Sequence, residues 1–236
     1  MVLLATAAFA QNPLPGTILP VRLNNSISSK NAKPGQTITA RVMQNVPLPD
    51  RGRIRAGTRV VGHIVSVTPP SANSGAQISF KFDALVVAKR QIPVSTDLRA
   101  VASMSEIEDA QDPAMGTDRG TGPDAYTTVQ VGGDVVYRGG GHVMSGHTVV
   151  GEPVADGVLV RVSNEPGTPC RAGVDGNPLQ ALWLFSSNAC GVYGFRHLEI
   201  VHAGRTNPAG EITLASQHGQ FDVRSGSGML LRVTGR

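Results

Sequence analysis

A glycine turn followed by a strand-length alternation of apolar and polar residues recurs along this chain, and that repeat limits what it can fold into. Pro15-Gly16, Pro34-Gly35 and Ala56-Gly57 open three such segments between Pro15 and Val67. Pro fixes φ and Gly accepts φ > 0, so the Pro-Gly pairs suit type II turns, and Ala-Gly does the same less rigidly. Behind them, Leu19, Val21 and Leu23 alternate with Ile18, Pro20 and Arg22; Ile38, Ala40 and Val42 alternate with Thr37, Thr39 and Arg41; Val61, His63, Val65 and Val67 oppose Val60, Gly62 and Ile64. Period two means strands with one buried face. Further copies open at Gly75, leading to the apolar face Ile78, Phe80, Phe82 and Ala84 of Gln77–Val87, and at Gly226 near the C-terminus. Gln91–Val94 follows Lys89-Arg90 as a hairpin partner.

The spacing of the copies is irregular, which indicates repeated hairpin chemistry in one barrel and not a solenoid. With 28 Gly and 16 Pro in 236 residues, punctuation favours many short strands over helices. The expected fold is therefore all-β: a Gly/Pro-turn-rich β-barrel with a β-rich insertion or second β-sandwich, on the order of a dozen strands in all, and one short helix. The length suffices to bury a core of that size.

Several segments together resemble a known family. Gly16-Thr17-Ile18-Leu19-Pro20, Ile27-Ser28, Pro34-Gly35, Ala40-Arg41-Val42 and Ile54-Arg55-Ala56-Gly57-Thr58-Arg59-Val60-Val61-Gly62 look like the C-terminal β-barrel domain of TrbI-like proteins. Those proteins are channel-core components of type IV secretion and conjugation machines. The resemblance covers residues 14–95, with 226–233 as a closing strand. It implies a barrel, a bacterial envelope address and a relation to secretion-channel scaffolds. The inner-membrane helix, Pro-rich linker and helical antenna of that family have no counterpart in these residues, so channel assembly is not implied.

The remaining chain divides by composition. Met1–Ala10, MVLLATAAFA, ends in the small-x-small pattern of a signal-peptidase site, so 1–10 reads as a truncated signal peptide with a mature start near Gln11; a buried first strand is the alternative. No other run approaches the length of a membrane span. Residues 13–96 form the TrbI-like part. Residues 97–151 hold the one expected helix, Asp97–Gln111 with Asp97 as cap, and a Gly-rich insertion containing a hairpin turned at Gly132-Gly133. Residues 152–236 form a β-rich part whose last strand closes the barrel. Within it Ala181–Phe185 reads as a doubly buried strand, and Cys170 and Cys190, in an exported chain, read most simply as a disulfide.

No constellation in the chain carries a readable reaction. Nucleophile-elbow, P-loop, His-Glu-x-x-His and Cys-x-x-Cys motifs are absent, so no catalytic residue is assigned and the chain reads as a non-enzyme, with a hydrolase of unknown type the remote alternative. His142 and His147 could approach each other but lack a third ligand of matching spacing, so no metal and no cofactor is assigned. A thiol–imidazole pair of Cys190 with His197 competes poorly with the disulfide. Trp183, between Leu182 and Leu184, is core, whereas Tyr126, Tyr137 and Tyr193 could stack on a sugar. The charge of +4 is scattered and lacks the clustered footprint of nucleic-acid binding. Long Gly-rich loops are where function concentrates, so Tyr137, Arg138, His142 and His147 are the candidate interaction residues. The expected role is an exported, periplasmic or envelope-associated structural or protein-interaction module, with a protein partner or self-association. The alternative is binding of envelope polysaccharide or peptidoglycan through loops 114–151 and 171–180.

Overall fold

A computed structural model describes residues 13, 15–113, 126–163, 170 and 176–235. The expected signal peptide, 1–10, and parts of the two candidate loops, 114–125 and 171–175, lie outside the described residues. The strands are β1 (Ile18–Leu23), β2 (Ile27–Ser28), β3 (Thr37–Val42), β4 (Val46–Pro47), β5 (Arg53–Ile54), β6 (Arg59–Thr68), β7 (Gln77–Val87), β8 (Arg90–Pro93) and β9 (Ser95–Ala102). A short helix, α1 (Met104–Asp109), follows. Then come β10 (Thr127–Val129), β11 (Val135–Tyr137), β12 (Val143–Ser145), β13 (Thr148–Val154), β14 (Gly157–Arg161) and β15 (Leu179–Ala181). The chain ends with β16 (Gly191–Tyr193), β17 (Leu198–His202), β18 (Ile212–Ser216), β19 (Asp222–Val223) and β20 (Gly228–Gly235).

The glycine turns set the registers. Gly16, Gly35 and Gly57 all take φ between 80° and 90°, the left-handed region where a side chain would be strained. Behind them β3 and β6 bury alternate residues, Ile38, Ala40 and Val42 on one and Val60, Gly62 and Ile64 on the other. In β7, Ile78, Phe80, Phe82 and Ala84 are buried, and Phe80 meets Phe82 edge to face at 5.9 Å.

These strands do not make a barrel. The large sheet has ten strands in the order β16-β9-β20-β1-β3-β6-β7-β18-β17, with β8 on β7, and it stays open. β20 pairs antiparallel with β1, Leu19 facing Leu231 and Val21 facing Met229, and it pairs on its other side with β9. Closure would need β9 to meet β17. Instead β9 takes β16 as a parallel partner at Ala100–Ala102, and beyond it, among the described residues, a single backbone hydrogen bond reaches across, from the Leu98 N–H to the Ala203 carbonyl at 2.8 Å. One bond is not a ladder, so β16 and β17 remain as edges. The barrel expectation, the TrbI-like resemblance and the secretion-channel role implied by it are thereby overturned. The residues that carried the likeness form hairpin turns and strands of an open, mixed sheet, and short turn motifs of that kind recur in unrelated β folds.

The expected helix is also displaced. Asp97 does not cap it; Ser95–Ala102 is strand, and α1 is capped by Ser103, whose Oγ accepts from the Glu106 N–H at 3.3 Å. Strand pairing with β20 overrides the helical spacing of Leu98 and Val101. After β9 the chain leaves the large sheet, builds the six-stranded antiparallel sheet β10-β11-β12-β13-β14-β15, and returns as β16 beside β9. Ala181 ends β15; Leu182–Phe185 is a buried turn instead of a strand, with Trp183 at φ 55°.

Two cores result. One lies within the curl of the large sheet around Phe80, Phe82, Leu85 and Leu231. The other lies between that sheet's outer side (Ile18, Ala100, Leu230) and the small sheet (Val136, Val143, Val158, Val160), sealed by Trp183, Phe185 and Ile107. Strands β1, β9 and β20 thus contribute to both, which explains why their sequences are nearly continuously apolar. A bulge drops Arg99 from the β9–β20 ladder, Ala100 facing Leu230 and Leu98 facing Leu231. Its freed guanidinium donates to three carbonyls, Ser163, Ser187 and Ala189, at 2.7–3.1 Å. Burial, then the neighbouring Arg232 and Arg205, lower its pKa from the ordinary arginine range to about 10. Beside it the fully buried Asp97 carboxylate binds the Arg232 guanidinium, with Arg205 3.6 Å away.

Candidate functional site

Glycine builds the small sheet's edge as it built the large one's turns. Gly132 and Gly133, both at φ 102°, turn β10 into β11, and the Gly133 N–H donates to the Gln130 carbonyl at 2.8 Å. Gly139, Gly140 and Gly141 carry β11 into β12, folding back over Tyr137 so closely that a Cβ on Gly141 would collide with it. That contact requires Gly141, while Gly139 and Gly140 sit at φ 82° and 97°, in the left-handed region.

Alternation then sorts the side chains. Val136, Val143, Val150, Val158 and Val160 face the second core and are buried. On the opposite face the registers Val129↔Val135, Val135↔Met144 and Met144↔Val149 place four apolar side chains in one row across four strands. Val149 is 54% exposed, Val129 45% and, beside the row, Tyr137 37%. Cross-strand rows are the packing unit of a sheet, and among the described residues nothing is packed over this outward row.

Next to the row lies a depression of about 560 Å³ that brings all four candidate residues together: Tyr137, Arg138, His142 and His147, with Tyr126 and Met144. A second hollow of about 580 Å³ shares Tyr126, Arg138 and His142 and adds Glu152; a third of about 360 Å³ runs inward past Thr128 and Asp156 to Trp183. Arg138 is their common wall. Its Nη1 donates to the Gly157 and Val154 carbonyls at 3.0 and 3.3 Å, which fixes the guanidinium. Burial lowers its pKa below the ordinary value, and the nearby Tyr126 opposes that shift.

Other candidates are placed elsewhere. Cys170 and Cys190 form a disulfide, so no thiol faces His197. Trp183 is buried; its N–H donates to Gln44 Oε1 at 2.7 Å and its carbonyl accepts from Gln130 at 3.1 Å. The Tyr193 hydroxyl accepts from the Cys190 N–H at 3.0 Å. Asp134 is buried and accepts from the Ser187 N–H at 2.7 Å, away from the histidines of the depression. Among the described residues no group of three His, Cys, Asp or Glu side chains converges on a metal-sized site, and no helix is long and apolar enough to cross a membrane.

The apolar row escaped the sequence reading. Its members sit in strands of three to seven residues separated by glycine turns, and only the register shows that they line up. Alternation of Val135 with Val136 and of Val149 with Val150 was the available signal, but two adjacent valines do not say which one faces out. No protein family, curated protein or solved structure matches this chain.

Proposed function

We propose that this chain is an exported binding module whose docking surface is the outer face of the small sheet, taking a protein partner with an apolar strip bordered by carboxylates. The observation that carries the reading is the outward row Val129, Val135, Met144 and Val149, exposed at its two ends and half-buried between, beside Tyr137, with Arg138, His142 and His147 along one border. An apolar centre with Tyr, Met and Arg and a polar rim is the composition that distinguishes interface cores from ordinary surface. Export accords with the Cys170–Cys190 disulfide, a bond that persists in oxidising compartments.

A photo-cross-linking residue at Val149 tests this in the native host. A single adduct is expected that Met144→Glu abolishes and Val201→Glu leaves intact, because Val201, 56% exposed, lies on β17 at the edge of the other sheet. An adduct equally sensitive to both substitutions would defeat the proposal. The exposed Tyr126 and Tyr137 at the rim of the hollows favour a second reading, an envelope polysaccharide stacked on their rings. Pelleting with cell-wall sacculi that is lost in Tyr137→Ala, with no protein adduct, would select it.

A further inference from the structure

A second feature stands on the large sheet, away from that surface. His197 precedes β17 and His218 follows β18, and the ladder between those strands, Leu198 facing Ser216, brings the two residues side by side at the open end of the pair. Their ring centres are 5.3 Å apart with planes at 62°. Both are exposed, and among the described residues neither ring makes a hydrogen bond or ion pair. The other histidines on this sheet differ: His63 Nδ1 is 2.8 Å from the Asp83 carboxylate, and His202 uses both nitrogens, on the Glu211 carbonyl and the Thr206 hydroxyl.

We infer that His197 and His218 form a two-imidazole site for a borderline divalent cation, Zn²⁺ or Cu²⁺, with water completing the coordination. The spacing fits. A cation about 2.1 Å from one nitrogen of each ring stands roughly 3.2 Å from each ring centre, so two neighbouring ligands on a tetrahedral or square ion have centres about 4.5–5.2 Å apart. A small ring rotation covers the difference from 5.3 Å. Imidazole is a ligand shared by both ions, and Cu²⁺ binds such nitrogen sites more tightly than Zn²⁺.

The backbone beneath the pair is held on every side. The Gln217 N–H donates to the His197 carbonyl at 2.8 Å, and Ser216 Oγ bridges the turn, donating to the His218 carbonyl and accepting from its N–H. Start-of-strand residues lock the same turn from beyond: the Ala76 N–H donates to the Gly219 carbonyl at 2.8 Å and the Ser216 N–H to the Ala76 carbonyl at 2.9 Å. His197 itself sits at φ 60°, a left-handed conformation that non-glycine residues seldom take and that is a recurrent mark of functional positions. A ligand pair whose backbone is already ordered gives up little entropy on binding.

The test uses the untagged, disulfide-bonded chain. Zn²⁺ titrated by calorimetry is expected to bind at one equivalent, and substoichiometric Cu²⁺ is expected to broaden the ring resonances of His197 and His218 before those of His63, His142, His147 or His202. His218→Gln and His197→Asn, the latter tolerated in a left-handed position, should each weaken Zn²⁺ by about tenfold or more, while His142→Gln changes nothing. Absence of Zn²⁺ binding, first broadening at any other histidine, or unchanged affinity in His218→Gln would each overturn the site. The broadening pattern is read on the unsubstituted protein, so it decides the matter even if a variant misfolds.

Discussion

The two sheets use the same turn chemistry and reach opposite states. The large sheet buries β1, β9 and β20 on both faces, against its own curled interior and against the small sheet. The small sheet buries one face only and leaves a row of apolar side chains outward. A strand buried on both sides has no surface left with which to recognise anything. The sheet that is half covered keeps one, and so the scaffold and the proposed recognition surface are separate layers of one molecule. The junction between them is polar and exacting: Gln44 donates to the Val158 carbonyl and accepts from the Trp183 and Val158 N–H groups, while Gln180 accepts from the Ile18 N–H.

That division can be broken from the scaffold side. Asp97→Ala should have the largest effect, because it removes the carboxylate that the buried Arg232 guanidinium binds, with the Arg99 cation close by; a loss of about 3–5 kcal/mol is expected in urea unfolding. Removing the disulfide with the Cys170→Ser, Cys190→Ser pair should cost roughly 3 kcal/mol in the loop-entropy account, read as a fall in the thermal midpoint. Gln44→Leu attacks the junction, taking the acceptor from the Trp183 and Val158 backbone N–H groups. About 1–3 kcal/mol is expected, together with a change in Trp183 fluorescence, since its backbone is what Gln44 holds. Val149→Glu should barely register in stability, within about 0.5 kcal/mol, yet it should remove partner binding. A large stability loss from Val149→Glu would mean that the outer face is packed after all, and the contrast between the sheets would fall.

Much of the large sheet is legible in the sequence for a physical reason. Pro-Gly and Ala-Gly turns prescribe a conformation that few other dipeptides take, and in β7 the row Ile78, Phe80, Phe82 and Ala84 marks the buried face. The reading failed where two local signals competed. In Ser95–Ala102 the spacing of Leu98 and Val101 imitates a helix, but β20 and β16 offer hydrogen-bond partners on both sides and burial on both faces, and strand wins. The candidate residues Tyr137, Arg138, His142 and His147 were found by loop composition alone; the apolar row beside them needs the register of four strands, which no window of sequence contains.

The sequence by itself determined the all-β character, the turns and their left-handed glycines, and the supply of two cysteines to be joined. Those are local properties, fixed by φ preferences and period-two burial within a few residues. Only the tertiary structure decided that the sheet stays open, because closure depends on which strand claims the free side of β9, and β16 arrives there from about 90 residues further along the chain. The same is true of the proposed docking surface and of the histidine pair. Each is made of residues brought to one face by strand register, and register is set by the packing of a whole layer, not by the residues that end up displayed on it.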